Sequence, residues 1–149
     1  MANTPTRADT LTETLKRRVI YSDFMTSFAA NPVNGELARV TNERDVIQSV
    51  ENLILTDRGE RLFQPIVGSN VLRAMFNPVG ALTMSKIKDY IIATIRTHEP
   101  RVNVIDVVVA GRADGDWDAD EHALFATITF TLMNTTNPIS TTILLKVAR

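Results

Sequence analysis

The sequence predicts an α+β fold, with a C-terminal three-stranded antiparallel meander and a short N-terminal strand packed against two main amphipathic helices. Apolar residues recur at helical spacing in two segments before residue 98. After Pro100 the period changes to two, which is typical of strands. The apolar face of such a sheet needs a cover, and the two helices can supply it. The length of 149 residues favours a single domain, residues 1–149, with residues 1–20 as an N-terminal arm.

Before the first long helix, the chain carries cap and turn signals. Thr10 and Glu13 have capping-box spacing, so residues 10–19 predict a short helix. Its basic cluster, residues 16–18, is either a docking patch or a solvated helix end. Residues 21–40 combine aromatic residues with turn dipeptides, and they predict an ordered loop leading into a short strand at residues 37–41.

Two segments have clear helical periodicity. Residues 42–56 place one apolar stripe at Val46, Ile47, Val50, Leu53 and Ile54. Residues 83–97 place another at Met84, Ile87, Tyr90, Ile91 and Ile95. We expect Asn42 and Thr83 as N-caps and Gly59 as the cap that ends the first helix. Between them, prolines and glycines predict a loop with one helical turn at residues 71–76.

Three segments after Pro100 predict the meander: residues 101–112, 122–134 and 139–147. The middle one alternates apolar residues at Leu124, Ala126, Ile128, Phe130 and Leu132. Residues 114–121 form an acidic turn. A calcium loop is the weaker interpretation of that turn, because the twelve-residue ligand order and the closing glutamate are missing.

Composition argues against several functions. The chain has no cysteine and only two histidines, so we expect no metal site and no cofactor. The formal net charge of −1 lacks the excess of cations that nucleic-acid binding needs. There is no apolar run of membrane-spanning length and no secretion-type N-terminus. We therefore expect a cytosolic chain that binds neither nucleic acid nor membrane.

Catalytic groups are hard to find. Glu60 and Glu99 are the candidate carboxylate pair of a glycosidase, but arginines flank both and favour the ionised state, which is wrong for a general acid. His98 is adjacent to Glu99 and would point to the opposite face of an extended segment. Ser69 lacks a nucleophile motif. We expect no catalytic residue and no enzyme activity, with a small peptidoglycan hydrolase as the alternative.

The sequence Glu99-Pro100-Arg101 places two opposite charges around a proline that must end the second helix. One interpretation is an internal ion pair that tethers the helix end to the strand start. An exposed pair stabilises a fold by only about 0–1 kcal/mol. We therefore favour the other interpretation, in which both charges project from a rigid turn and dock another protein.

Residues 52–78 and 99–109 carry a combination of motifs: Gly-Glu-Arg, Pro-x-x-Gly-Ser, Leu-x-x-x-Phe and Glu-Pro-Arg. In this the chain resembles the baseplate wedge proteins, or sheath initiators, of contractile-tailed phages, a family also labelled lysozyme-like, and the similar baseplate component of type VI secretion systems. The likeness is best over residues 46–109.

The resemblance implies a structural subunit of the phage tail baseplate in the virion, assembled in the host cytoplasm. It would join the wedge core around the hub, contact other wedge subunits and hub or tube proteins, and template the tail sheath protein. The family hinge corresponds to Glu99, Pro100 and Arg101. The family loop corresponds to Gly59, Glu60, Arg61, Pro65 and Gly68, with Phe76 as the anchor that closes it. A tail-completion adaptor is a further alternative.

The last strand predicts the sheath contact. Residues 139–145 carry no charge, and the blocking residues Pro138 and Lys146 stand only at its ends. A free edge of this kind can accept an added strand from a partner. We expect that contact at Ile139, Thr141, Thr142, Ile143 and Leu145.

Overall fold

The computed structural model describes residues 19–78, 80–111, 123–133 and 135–146. The predicted N-terminal helix up to residue 18, its basic cluster and the acidic turn at residues 114–121 lie outside the described residues. The chain divides into two compact units, with the boundary between Asn42 and Glu43. The assignment of the whole chain to one domain stays a prediction.

The first unit contains a small antiparallel hairpin. Strand β1, Ser22–Phe24, pairs with strand β2, Arg39–Thr41. The short strand predicted at residues 37–41 is therefore confirmed, whereas β1 falls where the sequence predicts a loop. A three-residue strand is too short to show alternation, which explains the miss.

The second unit confirms the α+β class. Its helices are α1, Glu43–Leu55, the short α2, Val71–Ala74, and α3, Ala81–His98. Its strands are β3, Val102–Gly111, β4, Leu124–Leu132, and β5, Ile139–Leu145. The strands form one antiparallel sheet in the order β3-β4-β5. Helix α3 packs against β3, and α1 packs against both α3 and β5.

The core of this unit lies between the helices and one face of the sheet. Every second residue of β4 is buried, as the alternation predicts. The two predicted helical stripes are also confirmed, although Tyr90 is partly exposed. The side chains with no solvent exposure include Val46, Val50, Ile54, Ile87, Ile91, Ile95, Val107, Ile128, Phe130 and Leu145.

The helix ends differ from the predicted ones. Helix α3 begins at Ala81, so Thr83 lies inside it, and its hydroxyl donates a hydrogen bond to the carbonyl of Pro78 at 2.8 Å. Helix α1 ends at Leu55, four residues before Gly59. There Thr56 donates both its N–H and its hydroxyl to the Asn52 carbonyl. Thr83 and Gly59 are therefore not the caps that the sequence predicts.

Asn42 directly precedes α1, at the position where the sequence predicts its N-cap, and its side chain also binds the segment before β1. Its backbone is left-handed, with a φ of 52°. Its Oδ1 accepts hydrogen bonds from the N–H groups of Ile20, at 2.8 Å, and Tyr21, at 3.4 Å. The side chain thus fastens the chain that enters β1.

Phe130 generates a prediction about the core. It is a fully buried side chain on β4, and Phe125 lies on the opposite, partly exposed face of the same strand. We expect Phe130→Ala to lower the free energy of unfolding by about 3–5 kcal/mol, because it leaves a cavity under the helices. The matched control Phe125→Ala should cost about 1 kcal/mol. Urea unfolding of both variants measures this, and equal losses would contradict the assignment of faces.

Candidate functional site

The Glu-Pro-Arg turn links the end of α3 to the start of β3. Glu99 is the C-cap residue of α3, and its N–H donates to the carbonyl of Ile95 at 2.8 Å. The guanidinium of Arg101 then binds the Glu99 carboxylate with two hydrogen bonds, from Nε to Oε1 at 2.6 Å and from Nη2 to Oε2 at 2.8 Å. This two-point geometry is the strong form of an arginine–carboxylate pair.

Helix α1 completes the cluster. The Ser49 hydroxyl donates to Oε2 of Glu99 at 2.7 Å. The Nη1 of Arg101 lies 3.0 Å from Oδ2 of Asp45. Glu99 is only 3% exposed and Asp45 is also buried, so both carboxylates lie in the packed interior, whereas Arg101 is half-buried. We name these four residues, Asp45, Ser49, Glu99 and Arg101, the hinge cluster.

The prediction that both hinge charges project from the turn is wrong for Glu99. Its carboxylate points inward, because Ser49 and Arg101 together satisfy both of its oxygens. The geometry is that of the internal ion pair. A contact of the exposed Pro100 with another subunit stays a prediction.

Sequence reasoning missed Asp45 and Ser49. Their position on α1 could have indicated that both side chains have partners within the fold. They are four residues apart on α1, each directly before a buried valine of the apolar stripe, Val46 or Val50. Polar residues beside such a stripe need partners, and here the partner is the hinge.

The charges of the hinge cluster stabilise the ionised pair. Burial alone raises the pKa of Glu99, but the hydrogen bonds and positive charge of Arg101 and the hydrogen bond from Ser49 outweigh it, so the pKa lies below its ordinary value. The hydrogen bonds to Glu99 in turn raise the pKa of Arg101. A carboxylate in this state holds its proton poorly and is unsuited to be a general acid.

The second predicted site is the loop between α1 and α2. Its two ends meet through hydrogen bonds from Arg58 N to Ser69 O at 3.2 Å and from Ser69 N to Thr56 O at 2.8 Å. Gly68 is buried at this neck with a φ of +130°, and a Cβ atom there would lie 2.7 Å from the Thr56 carbonyl oxygen. Glycine is therefore required at residue 68.

Inside the loop, Gly59 and Glu60 make structural contacts. Gly59, with a φ of +91°, donates its N–H to the Pro65 carbonyl at 3.0 Å. The Oε2 of Glu60 accepts a hydrogen bond from Asp57 N at 2.9 Å. Both Glu60 and Arg61 are exposed. Their predicted contact with a partner stays a prediction.

Ser69 and Arg73 close the loop. The buried Ser69 hydroxyl donates to the Ile54 carbonyl at 2.6 Å and accepts from Val71 N at 3.2 Å, so it joins the end of α1 to the start of α2. Arg73 binds Asp57 Oδ2 at 3.0 Å and the Arg58 carbonyl at 2.6 Å. Phe76, the predicted anchor, is 75% exposed, so that prediction is wrong.

The third predicted site is strand β5. In the described part of the chain it pairs with β4 alone, so it forms one edge of the sheet. Ile143 and Leu145 are buried, and the Thr141 hydroxyl donates to Glu51 Oε1 at 2.9 Å. The exposed Thr142 lies on the other face, with its Oγ1 3.1 Å from Oγ1 of Thr127.

The described residues show neither a metal-binding cluster nor a membrane-spanning helix. No group of three or more His, Asp or Glu side chains among them is placed to hold a metal ion. No helix in the described ranges has both the length and the apolar character needed to cross a membrane. His98 is partly buried, and its Nε2 has no hydrogen-bond partner within the described structure.

The hinge cluster generates a prediction with a defined pH dependence. Glu99→Gln should lower the free energy of unfolding by about 1.5–3 kcal/mol at neutral pH, because it removes the charge from a buried carboxylate that accepts hydrogen bonds from Arg101 and Ser49. A lowered folded pKa means that this stability is present above the ordinary value of 4.5 and is lost as pH falls through the lowered value. The difference between the two proteins should therefore shrink in acid.

Thermal unfolding across this pH range measures the effect. The matched control is Glu60→Gln, because Glu60 is exposed and an amide oxygen can still accept the bond from Asp57. A Glu99→Gln variant as stable as the unchanged protein at neutral pH would contradict the internal ion pair.

Solved structures show the fold in other proteins. The chain is similar to a protein of the anti-feeding prophage baseplate, with 23% identity, a TM-score of 0.64, and coverage of 78% of this chain and 89% of that one. A candidate tail lysozyme from Geobacter sulfurreducens matches with 20% identity and a TM-score of 0.63, over 72% and 92% of the two chains. A protein of the postcontracted pyocin R2 baseplate matches with 21% identity and a TM-score of 0.51, over 70% and 96%.

A search of the curated proteins gives no match. The family model described as baseplate wedge protein gp25 matches residues 40–137, which is more than half of the 149 residues. This range includes the loop, the hinge cluster and β4, and it agrees with the resemblance found in the sequence. The chain therefore belongs to the baseplate wedge protein gp25 family, a family of structural components of tail baseplates.

Proposed function

We propose that this chain is a non-enzymatic wedge subunit of a contractile phage tail baseplate, which joins the wedge core around the hub and templates polymerisation of the tail sheath by β-strand addition. Its partners are the other wedge subunits, hub or tube proteins and the sheath protein. Its place is the baseplate of the virion, after assembly in the host cytoplasm. Family membership supports the baseplate role, and the open edge of β5 is the observation that carries the template role.

The hydrogen-bond pattern determines which groups this edge offers. Met133 N donates to Arg101 O at 3.1 Å, and these residues are one register step beyond the pair Leu132 and Val102. Residues that bond a given neighbour alternate along an antiparallel strand. The odd-numbered residues of β4 therefore bond β3, and the even-numbered ones bond β5.

The register between β4 and β5 extends this alternation to the edge. Ile128 faces Thr141 and Ala126 faces Ile143, so the N–H and C=O groups of Thr141 and Ile143 point to β4. Those of Ser140, Thr142 and Leu144 point away from the sheet. Thr142 is thus the predicted edge residue that offers its backbone, and the sequence missed Ser140 and Leu144. Each of these three residues has one donor and one acceptor, and each bond made contributes about 0.5–1.5 kcal/mol net.

The opposite edge of the sheet is less suited to pairing. Strand β3 has a register irregularity between Val104 and Asp106, of the kind that a β-bulge produces. Asp106 adds a charge there and lies 3.1 Å from Lys88, whose hydrogen bond lowers the pKa of this carboxyl. Bulges and charges are features that protect an edge from pairing. Strand β5 has neither within residues 139–145.

Thr142→Pro tests the template role. Proline removes an N–H that points to the open edge and leaves the bonds between β4 and β5 in place, so the chain should fold and join the baseplate. Sheath should then fail to polymerise on these baseplates at the normal rate. Electron microscopy of the assembled particles measures sheath length.

Thr142→Ala is the matched control, because it keeps the N–H and removes only the side chain. It should support full-length sheath. Full-length sheath on Thr142→Pro baseplates would show that the β5 edge is not the template.

The alternative of a small peptidoglycan hydrolase has one structural neighbour in its favour, the candidate tail lysozyme, which shares only the fold. The ionised, buried state of Glu99 argues against it. We expect the purified chain to leave peptidoglycan intact from mildly acidic to mildly basic pH. Release of soluble sugars that Glu60→Gln or Glu99→Gln abolishes would overturn the non-enzymatic assignment.

The other alternative, a tail-completion adaptor, predicts a different location. Labelling the chain in assembled particles should mark the baseplate end of the tail. A label at the head-proximal end would favour the adaptor.

A further inference from the structure

The loop between α1 and α2 exposes large apolar side chains at its tip. Leu62 is 89% exposed, Phe63 97% and Ile66 72%. Scattered exposed apolar residues are ordinary, but three within five positions of one loop form a local patch. We name residues 61–66 the apolar tip.

The backbone of the apolar tip is held in place by its own hydrogen bonds. Gln64 N donates to Arg61 O at 3.2 Å, and Val67 N donates to Gln64 O at 3.1 Å. The bond from Gly59 N to Pro65 O and the neck at Gly68 close the loop beneath it. A rigid element that holds apolar side chains in water is pre-organised for binding, since little ordering entropy remains to be lost.

The charges around the tip indicate the chemistry of its partner. Arg58, Arg61 and Arg73 are exposed, against the carboxylates of Asp57 and Glu60. Asp57 is already paired with Arg73, and Glu60 binds the backbone of the loop. The rim around the apolar tip is therefore positive in sum, and it suits an acidic surface.

A second copy of this chain is a poor occupant. One open depression among the described residues has two cations in its lining, which consists of Asn70, Arg73, Ala74, Asn77, Lys86 and Tyr90. Seating the tip of one copy there would bring Arg58 and Arg61 toward Arg73 and Lys86. Like charges brought together disfavour such a contact.

We propose that the apolar tip inserts Phe63 and its neighbour Leu62 into an apolar pocket, rimmed by carboxylates, on a non-identical subunit of the baseplate. This rests on the proposed baseplate role and names a surface for it that is separate in sequence from the β5 edge. Phe63 is the anchor, because aromatic side chains in a desolvated pocket dominate interface energetics. Arg61 supplies the adjacent charge.

The test uses the full chain and a wedge complex that has been co-expressed without it. Binding of the unchanged chain to that complex tests the baseplate role itself, and absence of binding overturns both proposals. Given binding, Phe63→Ser should raise the Kd at least about tenfold, which corresponds to the loss of one anchor side chain. Thermal unfolding should show that this variant is as stable as the unchanged chain.

Met133→Ser is the matched control, because Met133 is 78% exposed and directly follows β4, away in sequence from the apolar tip. It should bind normally. Arg61→Glu should weaken binding more than Arg61→Lys, and added salt should reduce the difference. Unchanged binding by Phe63→Ser would overturn the proposal, and so would a dimer of the isolated chain that Phe63→Ser abolishes in sedimentation.

The two proposed surfaces fail separately. If Phe63→Ser prevents incorporation of the chain into the baseplate while Thr142→Pro baseplates carry normal sheath, the proposal for the apolar tip is supported and the proposal for the strand template is overturned. If Phe63→Ser chains enter the baseplate normally and Thr142→Pro stops the sheath, the reverse holds.

Discussion

The pairing of the buried Glu99 with Arg101 holds together the segments that the rest of the fold builds on. Helix α3 ends and strand β3 begins within a few residues of each other, and the same guanidinium reaches Asp45 on α1. Ion pairs of this kind are costly to bury and costly to break, so their geometry is narrowly defined. The position of α1 over the sheet is thereby coupled to the turn at Pro100, and the Thr141–Glu51 hydrogen bond carries that coupling to β5.

Helix α1 connects this cluster to the loop that follows it. Its first half supplies Asp45 and Ser49, and the carbonyl of Ile54 near its end accepts the Ser69 hydroxyl. The contact with Ser69 is buried and the hinge contacts are part-buried, whereas the stripe between them is apolar. Apolar burial supplies most of the stability of such a unit, and the polar contacts at either end select one arrangement of the neighbouring segments.

Local pattern predicted the elements well, because burial imposes a period on the sequence. Val46, Val50 and Ile54, like the alternation along β4, carry that period plainly. Side-chain pairing between distant segments imposes no period on the sequence. Arg101 and Asp45 are 56 positions apart, and no local pattern indicates that they form a hydrogen bond. The inward orientation of Glu99 and the exposure of Phe76 depend on that tertiary packing, so the sequence predicted both wrongly. The helix ends were also predicted wrongly. Thr83 and Gly59 are residue types that often cap helices, but here Thr83 binds the Pro78 carbonyl from inside α3, and Gly59 binds Pro65 within the loop.

The two edges of the sheet are unequal, and under the proposed template role this would give the chain one site for an added strand. The register irregularity makes β3 the less suitable edge for pairing, so under the proposed template role an added strand would lie beside β5. After one strand has joined, the outer edge belongs to the incoming chain, and any further addition depends on that chain's own surface. In the proposed template role, the chain would begin an array and would not be inserted into the middle of one, so a single, non-repeating subunit would set the starting point and the direction of the array.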